Sequence, residues 1–199
     1  MRCSVTLASV GAVALGACAS AQATRADDLP LRAGAAWVYH GTATDRAGSH
    51  AVDETVRVRD SDGRVAHLAL DGQARVHELE WRGDVLYHDG DPWLAWPLTK
   101  GRRTCSDPKI CWEVEAVDTV TLDVKGVAAV SRARWRVVER DNTGVMTVEL
   151  VAGVGVATFR YHHNGSPDDV DVKLVELHGP ETTDSRRPGS DPGMGTSPP

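Results

Sequence analysis

No segment of this 199-residue sequence is apolar for long enough to cross a bilayer as a helix. The best candidate, the uncharged and largely apolar run Val5 to Leu15, has eleven residues, against the ~20 that a span needs. Also missing are a Gly-x-Ser-x-Gly elbow, a His-Glu-x-x-His pair, a phosphate loop and a calcium loop of the helix-loop-helix type, which removes the enzyme and binding classes that such motifs carry. Residues distant in sequence can still assemble a catalytic group, so catalysis as such stays open, but no residue is assigned a catalytic role. "GVGVA" holds Gly153 and Gly155 without the third glycine and the helix of a dinucleotide site, and it reads as a bend or bulge in a strand. The net charge of −6 argues against nucleic acid, which attracts basic faces. No internal repeat points to a propeller or solenoid, and nowhere do apolar residues keep a helical spacing over three turns.

Cysteine is scarce, and its four positions are informative. Cys3 lies in a segment ordered like a signal peptide, with Arg2, an apolar middle and then small residues. "LGAC" resembles a bacterial lipobox, in which Leu15, Gly16 and Ala17 precede a cysteine that becomes acylated. That resemblance implies cleavage before Cys18 and attachment to a membrane through lipid on Cys18. Ala19 stands where lipoproteins kept in an inner membrane often carry Asp, which favours the outer membrane. Ordinary secretion is the alternative, because Ala21 and Ala23 in "AQA" also form a small-x-small cleavage site. The remaining pair, Cys105 and Cys111 in "CSDPKIC", suits a loop disulfide in an oxidising compartment. Further thiolate or imidazole ligands for zinc are absent nearby, and redox catalysis usually shows Cys-x-x-Cys, so bracing is preferred to metal or redox chemistry.

The expected organisation is a signal peptide at 1–17, a lipidated tether at 18–28, a β domain at 29–178 and a disordered tail at 179–199. The last twenty residues hold five prolines and no aromatic, too little apolar area to offset ordering entropy. Between the tails, strand signals are almost continuous. "HAVDETVRVRD" sets Val52, Glu54, Val56 and Val58 against Asp53, Thr55, Arg57 and Arg59, the period of a half-buried strand. "DSDG" at 60–63, "RGD" at 82–84, "KG" at 125–126 and "DNTG" at 141–144 separate such runs as hairpin turns do. The prediction is an all-β fold, an antiparallel meander curved into a half-barrel or sandwich, broken by one longer connection from Asp89 to Lys109.

"LPLRAGAAWVYHG", "LAWPLTKGRRTC" and "VAGVGVATFRYHHNG" followed by "VKLVEL" together resemble bacterial exported proteins of unknown function, the TapB-like family and uncharacterised lipoproteins. The resemblance covers roughly residues 29 to 177. It implies an exported β-rich fold and no established reaction.

Three features bear on function. His162 and His163 in "RYHHN" point to opposite faces of a strand and cannot share a metal without a bend. His88 does not change that, and Asp89 and Asp91 in "HDGDPW" are explained by a tight polar turn, so no metal or cofactor is assigned. "PWLAWP" crowds Trp93, Leu94 and Trp96 between prolines, either as core packing or as the mouth of a ligand site. Two functions follow as expectations. One is a membrane-anchored extracytoplasmic binding or scaffolding module with a protein partner. The other is a periplasmic carrier that holds an apolar small molecule in its curved sheet.

Overall fold

The computed structural model of the chain describes residues 28–179, so the signal peptide, Cys18 with most of its tether, and the segment from 180 onward lie outside the described residues. Twelve strands follow in order: β1 (Ala36–Asp45), β2 (Gly48–Ser61), β3 (Val65–Leu70), β4 (Val76–Arg82), β5 (Val85–His88), β6 (Asp91–Ala95), β7 (Arg103–Asp107), β8 (Ile110–Thr121), β9 (Ser131–Arg140), β10 (Gly144–Val151), β11 (Gly155–His163) and β12 (Asp169–His178). They form one antiparallel sheet in the order β6-β5-β4-β3-β2-β1-β12-β11-β10-β9-β8-β7. The first and last strands are therefore neighbours at its centre. Register shifts at Val38/Tyr39, Leu86/Tyr87, Val114/Ala116 and Glu149/Leu150 insert extra residues that bend and twist the strands. The sheet curls further than a half-barrel, until β6 approaches β7 and the barrel is nearly closed.

Alternation accounts for the two faces. Along β1, Trp37 and Tyr39 are buried while His40 is exposed, and on β2 Val58 is buried between exposed Arg57 and Arg59. The outer face carries cross-strand ion pairs, such as Arg134 with Asp118 at 2.7 Å and Arg160 with Asp171 at 3.3 Å. Each such exposed pair contributes only ~0–1 kcal/mol. Their distribution matters more: this is a water-facing exterior, the reverse of a membrane-spanning barrel with its apolar outer band.

Two connections differ from the sequence expectation. The stretch from Asp89 to Lys109 contains β6 and β7, the two seam strands, joined through 96–102. Their pattern is hard to read because β6 is five residues long with Pro92 in it, and four of the five β7 residues are exposed. Lys125 and Gly126 form a turn as expected, with the Val127 N–H donating to Val124 O at 3.1 Å, but inside a longer connection between the paired strands β8 and β9. They belong to the loop 122–130, which crosses to β12, where the Lys125 N–H donates to Val175 O and the Leu177 N–H donates to Lys125 O. Leu122, Val124 and Val127 pack from that loop onto the core. With Leu29 and Leu31 from the N-terminal segment, they close one end of the barrel. The opposite end carries the short turns 71–75 and 89–90 and is the rim.

Glu80, on β4, is nearly buried between Arg64 and Arg82. Hydrogen bonds from Arg64 first and then Arg82 hold its carboxyl below the ordinary value of 4.5. A depressed carboxylate stabilises the fold fully above its unfolded value and loses that contribution as pH falls through the folded one. Urea midpoints of the wild type and Glu80→Gln, measured against pH, should therefore differ above about pH 4.5 and converge below it. A constant gap down to strongly acid pH would exclude the carboxylate as its cause.

Candidate functional site

The inward faces of the strands enclose a cavity of about 330 Å³, at the lower end of the ~300–1,000 Å³ usual for small-molecule sites. Leu29 and Leu31 form its floor, and Val56, Leu68, Val148 and Phe159 are among its walls. Trp37 and Tyr39 also line it, yet neither presents a free polar atom. The Trp37 indole Nε1 donates to Val154 O at 2.6 Å, and the Tyr39 hydroxyl donates to Val156 O at 2.8 Å. Burial, then the nearby Glu54 carboxylate, pushes the Tyr39 phenol well above its ordinary value, so it stays neutral. With these groups engaged by backbone, the lumen offers an incoming molecule mainly hydrocarbon and aromatic surface.

The rim is different in chemistry. His77 on β4 and His88 on β5 both line the cavity. Next to them Asp89 and Gly90 form the two-residue β5–β6 turn, with φ of 50° and 91°. Positive φ at both central residues is the hairpin geometry that Asp-Gly favours, as expected from "HDGDPW". The turn points the Asp89 carboxylate back at β4. Its Oδ1 accepts the Glu78 N–H at 2.8 Å, and its Oδ2 lies 2.8 Å from His77 Nδ1 and 2.7 Å from an Arg75 guanidinium nitrogen. Desolvation opposes ionisation of Asp89, but the Glu78 and His77 hydrogen bonds and the histidine charges outweigh it and hold its carboxyl at about 2. Burial lowers the His88 value, with Asp89 working against that shift, so its imidazole is predominantly neutral at pH 7.

Of the aromatic stretch singled out in the sequence, only Trp93 reaches the cavity. It meets Trp112 of β8 edge-on, ring centroids 6.1 Å apart, and so spans the seam between β6 and β7. Leu94 is 2% exposed within the core. Trp96 packs edge-on against Trp81, and its Nε1 donates to Asp28 Oδ2 at 3.0 Å near the closed end. The stretch runs from rim to floor, which is why its members separate. Cys105 and Cys111 are cross-strand partners on β7 and β8 with sulfurs 2.04 Å apart, the geometry of a disulfide that braces the seam hairpin. His162 and His163 do not converge: His162 Nδ1 lies 2.6 Å from Asp169 Oδ1, while His163 Nδ1 faces Ser166 Oγ at 2.8 Å. Gly153 and Gly155 flank the β10–β11 bend, and Gly155 abuts the Trp37 indole.

Sequence reading missed His77 and Trp112. The signal for His77 lies in hairpin register. The turn at 83–84 pairs Leu79 with His88, which leaves His77 two residues along on the same face as His88.

No family model, no curated protein and no solved structure matches this chain.

Proposed function

We propose that this chain is an exported lipoprotein, anchored through Cys18, that carries an apolar small molecule inside its barrel. This is the second of the two functions expected from the sequence, preferred here to a scaffolding module with a protein partner because of the cavity. The observation that carries the reading is the cavity itself, lined mainly by apolar side chains, with the polar atoms of Trp37 and Tyr39 taken up by backbone and only Glu54, His77 and His88 adding polar groups. Unfilled interior costs roughly 24 cal/mol per Å³, and a chain selected for stability alone would fill it with larger side chains. Half-exposed His88 among the lining residues gives the lumen a contact with solvent.

The test uses a fatty acid with a fluorescent polyene chain. Trp37, Trp93 and Trp112 line the cavity, so excitation of tryptophan should sensitise the bound probe. Saturable binding of one probe per chain is expected, with at least tenfold weaker binding in Leu68→Trp, which fills the lumen, at a melting temperature no lower than that of the wild type. Absence of saturable binding, or equal binding by a folded Leu68→Trp variant, would remove the carrier reading.

A further inference from the structure

Three side-chain atoms converge at the rim: His77 Nδ1, His88 Nε2 and Asp89 Oδ2. Their separations are 2.8 Å for His77 to Asp89, 3.2 Å for His77 to His88 and 3.8 Å for His88 to Asp89. We propose that these three residues form a binding site for a divalent transition-metal ion, best suited to zinc, with an open coordination position at the cavity rim.

Spacing is the first argument. Ligands ~2.0–2.1 Å from a tetrahedral zinc ion stand roughly 3.3 Å from one another, in the middle of the observed range. A triangle with sides of 2.8, 3.2 and 3.8 Å has a centre about 1.9 Å from each corner, so an ion close to that point reaches all three atoms with little side-chain movement.

Proton placement is the second. His77 Nδ1 faces both Asp89 Oδ2 and His88 Nε2. A proton there serves the carboxylate well, and His88 Nε2 is then left with either a lone pair competing for the same hydrogen or an N–H aimed at an N–H. Without a proton there, His77 accepts from His88 while its lone pair opposes a carboxylate. Neither tautomer satisfies both contacts. A cation at the centre turns all three atoms into ligands and removes the conflict.

Support around the triad is the third argument. Asp89 is fixed by paired backbone hydrogen bonds with Glu78: the Asp89 N–H donates to Glu78 O, and Asp89 Oδ1 accepts the Glu78 N–H, each at 2.8 Å. That leaves Oδ2 directed at the histidines, the kind of outer contact that orients metal ligands. Arg75 also contacts Oδ2, but its side chain is 68% exposed and a carboxylate oxygen has a second lone pair. Two imidazoles and one carboxylate suit zinc in an open site, where a water or a donor atom from a bound molecule completes the shell. Because His77 and His88 line the cavity, that position adjoins the lumen. The metal site stands whether or not the cavity holds an apolar molecule.

The experiment titrates Zn²⁺ into untagged, metal-stripped protein by calorimetry and repeats the titration with Co²⁺, following its visible absorption. One ion per chain is expected, with the intense bands of low-coordinate Co²⁺. Affinity should fall at least tenfold in His88→Gln and in Asp89→Asn, the latter chosen because Asn tolerates positive φ and preserves the turn. His162→Gln/His163→Gln should bind as the wild type does. No stoichiometric uptake by the wild type would overturn the site. So would uptake undiminished in folded His88→Gln and Asp89→Asn, or uptake lost only in the His162/His163 variant.

Discussion

Gly41→Val is expected to prevent formation of the barrel. Gly41 lies in β1 opposite Val52 of β2 on one side and Val172 of β12 on the other. A Cβ at this position would fall on the carbonyl oxygen of Asp171 and lie 2.6 Å from the Val172 Cα. These are backbone atoms in a paired strand and cannot rotate away, so β1 and β12 must separate where the two halves of the sheet join. A loss beyond ~4–5 kcal/mol is the scale expected when a mutation breaks packing of this kind, comparable with the whole stability of a small domain. The check is circular dichroism during heating, with Gly48→Ala as control. Gly48 has φ of 119° but open space around it, so alanine there meets strain without collision. The expected results are no cooperative transition for Gly41→Val and a modestly lowered one for Gly48→Ala; wild-type-like melting of Gly41→Val would contradict the close approach of β1 and β12.

Trp37→Ala should cost ~3–5 kcal/mol, the usual range for truncating a large buried aromatic. The indole is 4% exposed, anchors to Val154 O, and lies against Gly155, where the absence of a side chain makes room for it. It thereby ties the start of β1 to the β10–β11 bend, an interaction across 117 residues of chain. Trp37→Phe keeps most of the apolar bulk and removes the donor from a buried carbonyl, a loss of ~1–3 kcal/mol. Urea denaturation should place the midpoints in the order wild type, Trp37→Phe, Trp37→Ala. Equal midpoints for the two variants would mean that the hydrogen bond, rather than packing, sets the whole effect.

Alternation made most of the sheet legible. Val52, Glu54, Val56 and Val58 fall on one face of β2 as their spacing predicts, and Asp89-Gly90 makes the expected turn. Period two says which side of a strand faces inward, but it does not set how tightly the sheet curls. That depends on bulges such as Glu149/Leu150, which leave little trace in composition. Alternation thus allows an apolar cavity inside a curved sheet but does not fix the degree of closure or the size of that cavity. Trp93 and Trp96 looked like one aromatic patch because they are close in sequence. Trp93 instead lies in β6 toward the rim, while Trp96 lies just past the strand toward the closed end and is held by Asp28, a contact across 68 residues. Lys125-Gly126 makes the turn its sequence suggests, but Lys125 also pairs with Glu176 across the closed end, and such long-range pairing has no local signature.

The junction of β1 with β12 has a mechanical consequence. Chain ends usually fray first, but here both terminal strands sit mid-sheet, each laddered on two sides. Among the described residues, the line without a ladder lies halfway along the chain, between β6 and β7, where residues 96–102 join the edges. A hoop bonded everywhere except along one line yields at that line, because widening elsewhere breaks rows of backbone hydrogen bonds. Any swelling of the interior to admit a bulkier guest falls on that clasp, with the Trp93–Trp112 contact as its latch and the 96–102 connector as its stop.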